Sequence, residues 1–254
     1  MDFRFHILGS SSSGNCALIA TPYARVLIDA GFSAKKIDAA LRAVGESLDA
    51  VDAVFITHEH ADHACGLPAL AKRAHLRLYA NAATARALRP KLGCDANWHL
   101  FDNDADIVFR DIRIRPFAIP HDAADPVGFR FVAHEGTLFE KRLAWITDLG
   151  HVSETVRRHA AEVDILVLES NYDPDMLERS DRSFPLKQRI RGRHGHLANL
   201  DALALLTALE NPRLAEIHLA HLSRECNSPD VVRRVFADLM TSRPHWRFKI
   251  AEPL

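Results

Sequence analysis

The segment 57–63 reads Thr-His-Glu-His-Ala-Asp-His and places three imidazoles and a carboxylate within six residues. On an α-helix, His58 and His60 would point to opposite sides, so we expect a loop or turn that folds them together. Neutral imidazole and carboxylate are donors that suit Zn²⁺, Mn²⁺ or Fe²⁺, whereas Mg²⁺ and Ca²⁺ prefer mostly oxygen. The segment therefore predicts binding of a transition metal.

Further candidate ligands follow later predicted strands. His121 comes after Pro120 at the end of one strand, Asp148 follows a second, and His221 follows a third. Each residue alone would be read as an ordinary surface or core side chain. Six residues cannot close two metal sites, however, and these three strand-end positions supply the donors that are still needed.

The pattern HxHxDH, followed by His121, Asp148 and His221, resembles that of the metallo-β-lactamase-fold hydrolases over essentially the whole chain. The resemblance implies an α+β fold, an αβ/βα four-layer sandwich of two facing mixed β-sheets with outer helices. It also implies two divalent transition-metal ions per chain, zinc in the first place and manganese or iron as alternatives.

Carried over by position, the resemblance divides the ligands between the two ions. His58, His60 and His121 would bind one ion; Asp62, His63 and His221 would bind the second; Asp148 would bridge them. Two such ions can hold a hydroxide and clamp the oxygens of a displacement, so Asp62 and Asp148 are expected to be catalytic as well.

Two motifs indicate where a phosphate-containing substrate would bind. In the serine-rich stretch Gly9–Cys16, interpreted as the loop that joins the first two strands, backbone N–H groups and hydroxyls could approach phosphate oxygens. The segment Gly195–Asn199 precedes a predicted helix, whose N-terminus attracts phosphate. The candidate substrate-binding residues are Ser11, Ser12, Asn15 and Asn199.

A basic stretch lies just upstream of the second motif and comprises Lys187, Arg189, Arg191 and Arg193. It could contact a polyanionic substrate, or it could be a solvated helix face. The sequence leaves both interpretations open.

Together with Asp29–Gly31, Glu169–Asp173 and His221–Asn227, these motifs resemble the YycJ/WalJ-like branch of the family, which is akin to the RNase Z and PhnP phosphodiesterases. The resemblance implies phosphodiester hydrolysis of nucleic acid or of a small phosphodiester, including exonuclease action on double-stranded DNA. It also assigns His196 as the general acid. A histidine can carry a proton near neutral pH.

The elements that position these residues are read from local patterns. Short segments that are rich in β-branched and aromatic residues, or that are bounded by turn residues, predict strands. The predicted strands are Phe3–Leu8, Ala17–Ala20, Arg25–Asp29, Ala53–Thr57, Arg77–Ala80, Ile112–Ala118, Val127–Ala133, Leu143–Thr147, Ile165–Leu168 and Ile217–Ala220. Ser33, Asn199 and Ser228 are predicted to cap helices. Strands with interspersed helices indicate one sandwich domain over residues 1–254.

Composition excludes several other classes of protein. The 254 residues are 48% apolar and carry a formal net charge of −1, so neither a disordered charged tail nor a uniformly basic surface is expected. No apolar run approaches the ~20 residues of a membrane span, and the start does not resemble a signal peptide. Four scattered cysteines without a CxxC pair indicate reduced thiols in a cytoplasmic protein. A homodimer is left open.

Two other functions are compatible with the pattern. The same two metals could activate water against a thioester, lactone or lactam, as in glyoxalase II-like relatives, because a fold alone does not set the substrate. A non-catalytic nucleic-acid-binding module could also retain the fold. The complete set of seven ligands disfavours the second alternative.

Overall fold

A computed structural model describes residues 3–252 and Leu254, which form two compact units. The described part of the first unit comprises residues 3–118, residues 123–141 and Leu254; the second unit comprises Ile119–Asp122 and Arg142–Glu252. All four cysteines are free, as expected from their spacing. Within the described residues, no helix is long and apolar enough to cross a bilayer.

A six-stranded mixed sheet forms the centre of the first unit, and its strands follow one another in chain order. They are β1 (Arg4–Ser11), β2 (Gly14–Ala20), β3 (Arg25–Ile28), β4 (Ala53–Phe55), β5 (Arg77–Asn81) and β6 (Trp98–Phe101). The first three strands pair antiparallel, and β3 to β6 pair parallel. Strand β2 is buried along its whole length.

The serine-rich stretch is mostly strand, and its interpretation as a loop is therefore wrong in extent. Strand β1 continues to Ser11 and β2 begins at Gly14, so that Ser12 and Ser13 alone form the turn. Ser10 pairs with Asn15 across this hairpin. Pairing between neighbouring strands extends the ladder through small polar residues whose own strand propensity is low.

Four α-helices lie among the described residues of this unit, and side chains cap the first and the last of them. They are α1 (Ala34–Ala43), α2 (Ala61–Ala64), α3 (Leu67–Leu70) and α4 (Ala82–Leu92). The Ser33 side chain caps α1 as predicted by accepting a hydrogen bond from the N–H of Lys36, and Ile37 and Leu41 are buried at helical spacing. Gly45, just beyond the helix, has a φ of 78°, which suits a residue without Cβ.

An antiparallel meander completes the first unit with β7 (Ile107–Phe109), β8 (Ile112–Ala118) and β9 (Val127–Ala133). The ring of Phe55 on β4 makes edge contacts with Phe109 and Phe129, at centroid distances of 6.1 and 5.9 Å. Aromatic pairs prefer such T-shaped contacts. The meander therefore packs on the six-stranded sheet through a layer of phenylalanines.

The second unit has four parallel strands in the spatial order β13-β12-β11-β10. They are β10 (Lys141–Ile146), β11 (Ile165–Glu169), β12 (Glu216–Ala220) and β13 (Arg247–Ile250). The helices are α5 (Glu154–Ala160), α6 (Pro174–Arg179), α7 (Phe184–Ile190), α8 (Asn199–Ala208), α9 (Pro229–Val235) and α10 (Ala237–Ser242). Parallel strands end at the same edge of a sheet, so residues that follow them meet there.

One of the two predicted caps in this unit is wrong. Ser228 caps α9 ahead of Pro229, as expected. Helix α8, however, has Ala198 at its N-cap, and no side chain caps it. The Asn199 side chain instead accepts a hydrogen bond from Ser170 and exchanges hydrogen bonds with Asn227. These partners lie far away in sequence, so the competing network was not visible in the local pattern.

Candidate functional site

In the first unit the segment after β4 folds its three histidines into contact. The ring of His58 lies 4.6 Å from that of His60 and 4.2 Å from that of His63, centroid to centroid. His60 is the N-cap of the single-turn helix α2, which carries Asp62 and His63. A loop followed by one helical turn thus brings the donors together, as the spacing required.

A buried carboxylate orients His63. Asp29, which follows β3, accepts a hydrogen bond from Nδ1 of His63 at 2.7 Å and further hydrogen bonds from the N–H and hydroxyl of Thr57. Burial raises the pKa of Asp29, whereas the charge of His63 and the hydrogen bonds from His63 and Thr57 act in the opposite direction. An Nδ1–H that is held by a carboxylate leaves Nε2 as the ligand atom of the imidazole.

Asn15, a predicted substrate-binding residue, is fully buried beside the same histidine. Its amide nitrogen lies 3.1 Å from Nε2 of His63 and donates to the carbonyl of Ser11, while Ser10 donates to its amide oxygen. Ser11 is buried too, whereas Ser12 is exposed at the hairpin turn. The hairpin thus ends directly at the histidine cluster, and the substrate-binding roles remain predictions.

In the second unit, three strand ends bring acidic and imidazole groups to one edge. Asp148 follows β10, Glu169 is the last residue of β11, and His221 follows β12. Asp148 and His221 have φ angles of 60° and 57°, in the left-handed region. Non-glycine residues seldom adopt this conformation, and such residues occur preferentially at functional sites.

Glu169 connects two histidines of this edge through one buried oxygen. Its Oε1 accepts hydrogen bonds from Nδ1 of His196 at 2.9 Å and from Nδ1 of His221 at 2.7 Å. Its Oε2 accepts from the N–H groups of Leu149 and Leu197. Burial pushes the pKa of Glu169 upward, but the charges and hydrogen bonds of the two histidines outweigh burial and lower it.

Sequence reasoning did not identify Glu169 as a site residue. The available signal was a carboxylate at the end of a strand, directly after the apolar run Ile165–Leu168 and on the same pattern as Asp148. A charged residue at that position is expected to be buried, and a buried carboxylate needs partners. The sequence connects the motif Glu169–Asp173 with the site only through the family resemblance.

His121 is held at the same edge by the backbone. Its Nδ1 lies 3.0 Å from the carbonyl oxygen of Gly195, so Nδ1–H donates and Nε2 is directed to the other side, 3.9 Å from Oδ1 of Asp148. A Cβ at Gly195 would lie 2.2 Å from the carbonyl oxygens of Arg189 and Ile190. A larger residue could not occupy this turn, so glycine is required beside His196.

The donor chemistry of both clusters fits a transition metal. In the second unit, ligand atoms of Asp148, Glu169, His196 and His221 lie within 4.8 Å of one another. The first unit supplies three imidazoles and the Asp62 carboxylate. Mixed nitrogen and oxygen donors, with imidazoles oriented by carboxylates or carbonyls, are typical of zinc, manganese and iron sites.

Glu59 and the basic stretch have partners in this region that the sequence does not predict. Glu59 accepts a hydrogen bond from the N–H of Ala124. In the basic stretch, Arg189 forms an ion pair with Asp122 at 2.5 Å, and Arg191 forms one with Glu178 at 2.6 Å.

Comparison with known proteins gives a family and several relatives. The model of the beta-lactamase superfamily domain matches residues 24–219. The chain is 36% identical to the exodeoxyribonuclease WalJ of Streptococcus pneumoniae over 230 residues, covering 89% of this chain and 83% of that protein. It is 31% identical to the exodeoxyribonuclease YycJ of Bacillus anthracis over 246 residues, covering 96% and 91%.

Solved structures share the fold at low identity. The metallo-β-lactamase fold protein YhfI of Bacillus subtilis superposes with a TM-score of 0.72 at 16% identity, covering 99% of this chain and 96% of the other. A diphosphatase of the PhnP family gives a TM-score of 0.65 at 17% identity, covering 98% and 94%. The α+β sandwich with two mixed sheets and helices is therefore confirmed.

Proposed function

Because this chain belongs to the beta-lactamase superfamily, we propose that it is a metal-dependent phosphodiesterase that degrades DNA as an exodeoxyribonuclease. Two relatives named as exodeoxyribonucleases are similar to it over most of its length and most of theirs. Besides the fold, the observation that supports the proposal is that His196 and His221 both donate hydrogen bonds to Glu169.

The proposed ligands are those of the sequence pattern. His58, His60 and His121 would hold one ion, Asp62, His63 and His221 the second, and Asp148 would bridge the two. When bound, two such ions activate water and neutralise charge on a phosphate. The donor set fits zinc, with manganese or iron as alternatives.

His196 is the residue that we propose as the general acid. Its Nδ1–H donates to Oε1 of Glu169, which leaves Nε2 to hold the proton that a leaving sugar oxygen needs. The hydrogen bond to the carboxylate fixes the direction of the ring. Glu169 thereby acts as a positioning residue for the proton donor.

Ser11, Ser12, Asn15 and Asn199 stay proposed substrate-binding residues, in two different settings. Ser12 is exposed at the β1–β2 turn and can present its hydroxyl and N–H to a phosphate. Ser11, Asn15 and Asn199 are buried and would act by shaping the walls of the substrate site. A chromosomal DNA substrate would require the protein to act in the cytoplasm. That the protein forms a homodimer stays a prediction.

A panel of three substrates tests the function. Labelled double-stranded DNA, bis(p-nitrophenyl) phosphate and a nitrophenyl ester are incubated with the protein, with and without chelator. We expect cleavage of both phosphodiesters, release of mononucleotides from DNA ends, and loss of activity with chelator. Asp148→Ala, which removes the proposed bridging carboxylate, should abolish cleavage and lower the metal content.

Two results would refute this function. Hydrolysis of the ester alone would indicate the thioester, lactone or lactam alternative. DNA binding without any cleavage, in protein that contains metal, would indicate the non-catalytic binding module.

A further inference from the structure

Helix α7 has one side that packs and one side that is exposed. Leu186 and Ile190, four residues apart, lie on its packed side. Ile190 belongs to a buried apolar cluster of the same unit, and Leu186 packs against it; the other buried members are Tyr172, Leu177, Ala198 and Cys226. Residues at i and i+4 share a helix face, so this pair accounts for the apolar contact that a short helix needs.

The opposite side of α7 presents an aromatic ring in line with polar groups. Phe184, Gln188 and Arg191 stand at positions i, i+4 and i+7, and all three are exposed. Phe184 is 71% exposed. A large aromatic side chain gains most of its stabilising free energy from burial, and packing within this unit gives Phe184 little of it.

The C-terminal end of helix α7 adjoins the candidate general acid His196, and Phe184 lies at the other end of the helix. The N–H of His196 donates to the carbonyl of Ile190 at 2.8 Å, so the last residue of α7 adjoins the site. Arg189 contacts Asp122, which neighbours the candidate ligand His121. Phe184 lies six residues before Ile190, or about 9 Å along the helix at ~1.5 Å per residue.

The charge around this helix favours a polyanion. Residues 178–193 contain six lysines and arginines and two acids, although the whole chain has a net charge of −1. Asp122 and Glu225 from other segments pair with Arg189 and Arg182, so an excess of two cations remains. In the part of the chain that the structure describes, neither Arg179 nor Arg193 forms an ion pair with a side chain. An apolar partner, such as a lipid tail or a hydrophobic peptide, would not require this concentration of cations.

We propose that Phe184 is a base-stacking residue, against which a nucleobase of the DNA substrate lies while Gln188 and Arg191 contact the strand's phosphates. The inference rests on the proposed DNA hydrolysis and adds the part of the substrate that is recognised. Aromatic rings stack on bases of any sequence, because every base has a π-face. At ~3.4 Å per nucleotide, the stacked base lies two to three nucleotides from the scissile phosphate.

The test measures KM and kcat on DNA with a short single-stranded overhang. The variants are Phe184→Ala, Phe184→Leu, Phe184→Tyr and Phe184→Trp, and the matched control is Leu138→Ala, an exposed apolar residue in the other unit. Stacking contributes about 1–3 kcal/mol per base, so alanine should raise KM roughly 5- to 150-fold. Leucine should behave like alanine, whereas tyrosine and tryptophan should behave like the wild type.

Two readouts separate base stacking from a general defect. The loss on DNA should exceed any loss on bis(p-nitrophenyl) phosphate at least fivefold, because the small substrate has no base to stack. With 2-aminopurine at successive positions in DNA, quenching should peak two to three nucleotides from the cleaved bond and disappear in Phe184→Ala. Leu138→Ala should keep the wild-type KM.

Specific results would overturn the inference. A KM for Phe184→Ala within twofold of the wild type excludes a contact with the substrate. Full rescue by leucine excludes stacking and indicates a simple apolar contact with another partner. Failure of the proposed function itself would appear earlier and differently, as wild-type protein that contains metal but does not cleave DNA.

Discussion

At the scale of single residues, Glu169 is the group on which two histidines of the candidate site depend. One of its oxygens accepts from both imidazoles, and the other accepts from two backbone N–H groups. Every lone-pair direction of this buried carboxylate is therefore used. An isosteric amide has the same shape but only one accepting oxygen.

We predict that Glu169→Gln lowers activity on DNA by roughly 10- to 100-fold, because the amide NH₂ group faces N–H donors on one of its two sides. The measurement is kcat and KM on DNA, together with metal content and circular dichroism. Glu162→Gln, an exposed acid of the same unit, is the control. Wild-type kcat in Glu169→Gln would contradict the positioning role.

His196→Ala should reduce the rate on nucleotide substrates by about 10²–10⁴-fold, because the leaving sugar oxygen loses its proton donor. With p-nitrophenolate, which leaves readily without a proton, the reduction should be far smaller. The assay compares DNA and bis(p-nitrophenyl) phosphate in the same preparations. Equal losses on both substrates, or depleted metal in the variant, would show that His196 binds or supports structure instead.

At the scale of elements, α7 carries cations whose local partners are acids. Arg189 and Arg191 are paired with Asp122 and Glu178, yet both arginine side chains stay partly exposed. Exposed ion pairs contribute little to stability, so these cations can exchange a carboxylate for a phosphate at low cost. The helix is thus suited to binding a polyanion, although some of its cations are already paired with carboxylates.

Replacing Arg189, Arg191 and Arg193 together by alanine should weaken DNA binding and reduce the slope of log K against log salt by up to about three, since each lost phosphate contact releases one counterion fewer. Fluorescence anisotropy at several salt concentrations measures both quantities. The control removes three exposed arginines elsewhere in the unit, Arg157, Arg158 and Arg233. An equal effect in both variants would show that the basic stretch is a solvated helix face without a specific contact to DNA.

At the scale of the whole molecule, the chain is divided into two compact units. The sequence predicts one domain over residues 1–254, without a linker of low complexity. The first unit has its own large apolar core, which includes Leu18, Leu27 and Leu78. Single domains unfold cooperatively, whereas independent domains unfold separately.

We predict one cooperative thermal transition that moves to lower temperature when metal is removed, because ions that bind the native state alone stabilise it. At a free concentration 100 times the Kd, that stabilisation is about 2.7 kcal/mol. Differential scanning calorimetry with and without chelator measures the transition, and Asp148→Ala serves as the metal-depleted control. Two separate transitions would contradict the single-domain prediction.

The sequence by itself determined the residues that could do chemistry and most of the elements that carry them. Strands Ile112–Ala118 and Val127–Ala133 were predicted to the residue, and Ser33 caps α1 as expected. These features depend on residues close together in the chain, where propensity, capping and alternation act. The histidine and aspartate ligands were legible for the same reason, because their spacing is a local property.

Tertiary structure alone decided which groups meet. Glu169 belongs to the site because it accepts hydrogen bonds from histidines 27 and 52 residues further along the chain. Asn199 does not cap α8 as predicted, because its side chain forms hydrogen bonds with Ser170 and Asn227. Packing of Leu186 and Ile190 decided that Phe184 faces solvent. A buried polar group needs a hydrogen-bond partner, and the fold determines which residue is near enough to be that partner. A helix packs with the face that its neighbours can bury. Local spacing in the sequence determines neither of these two outcomes.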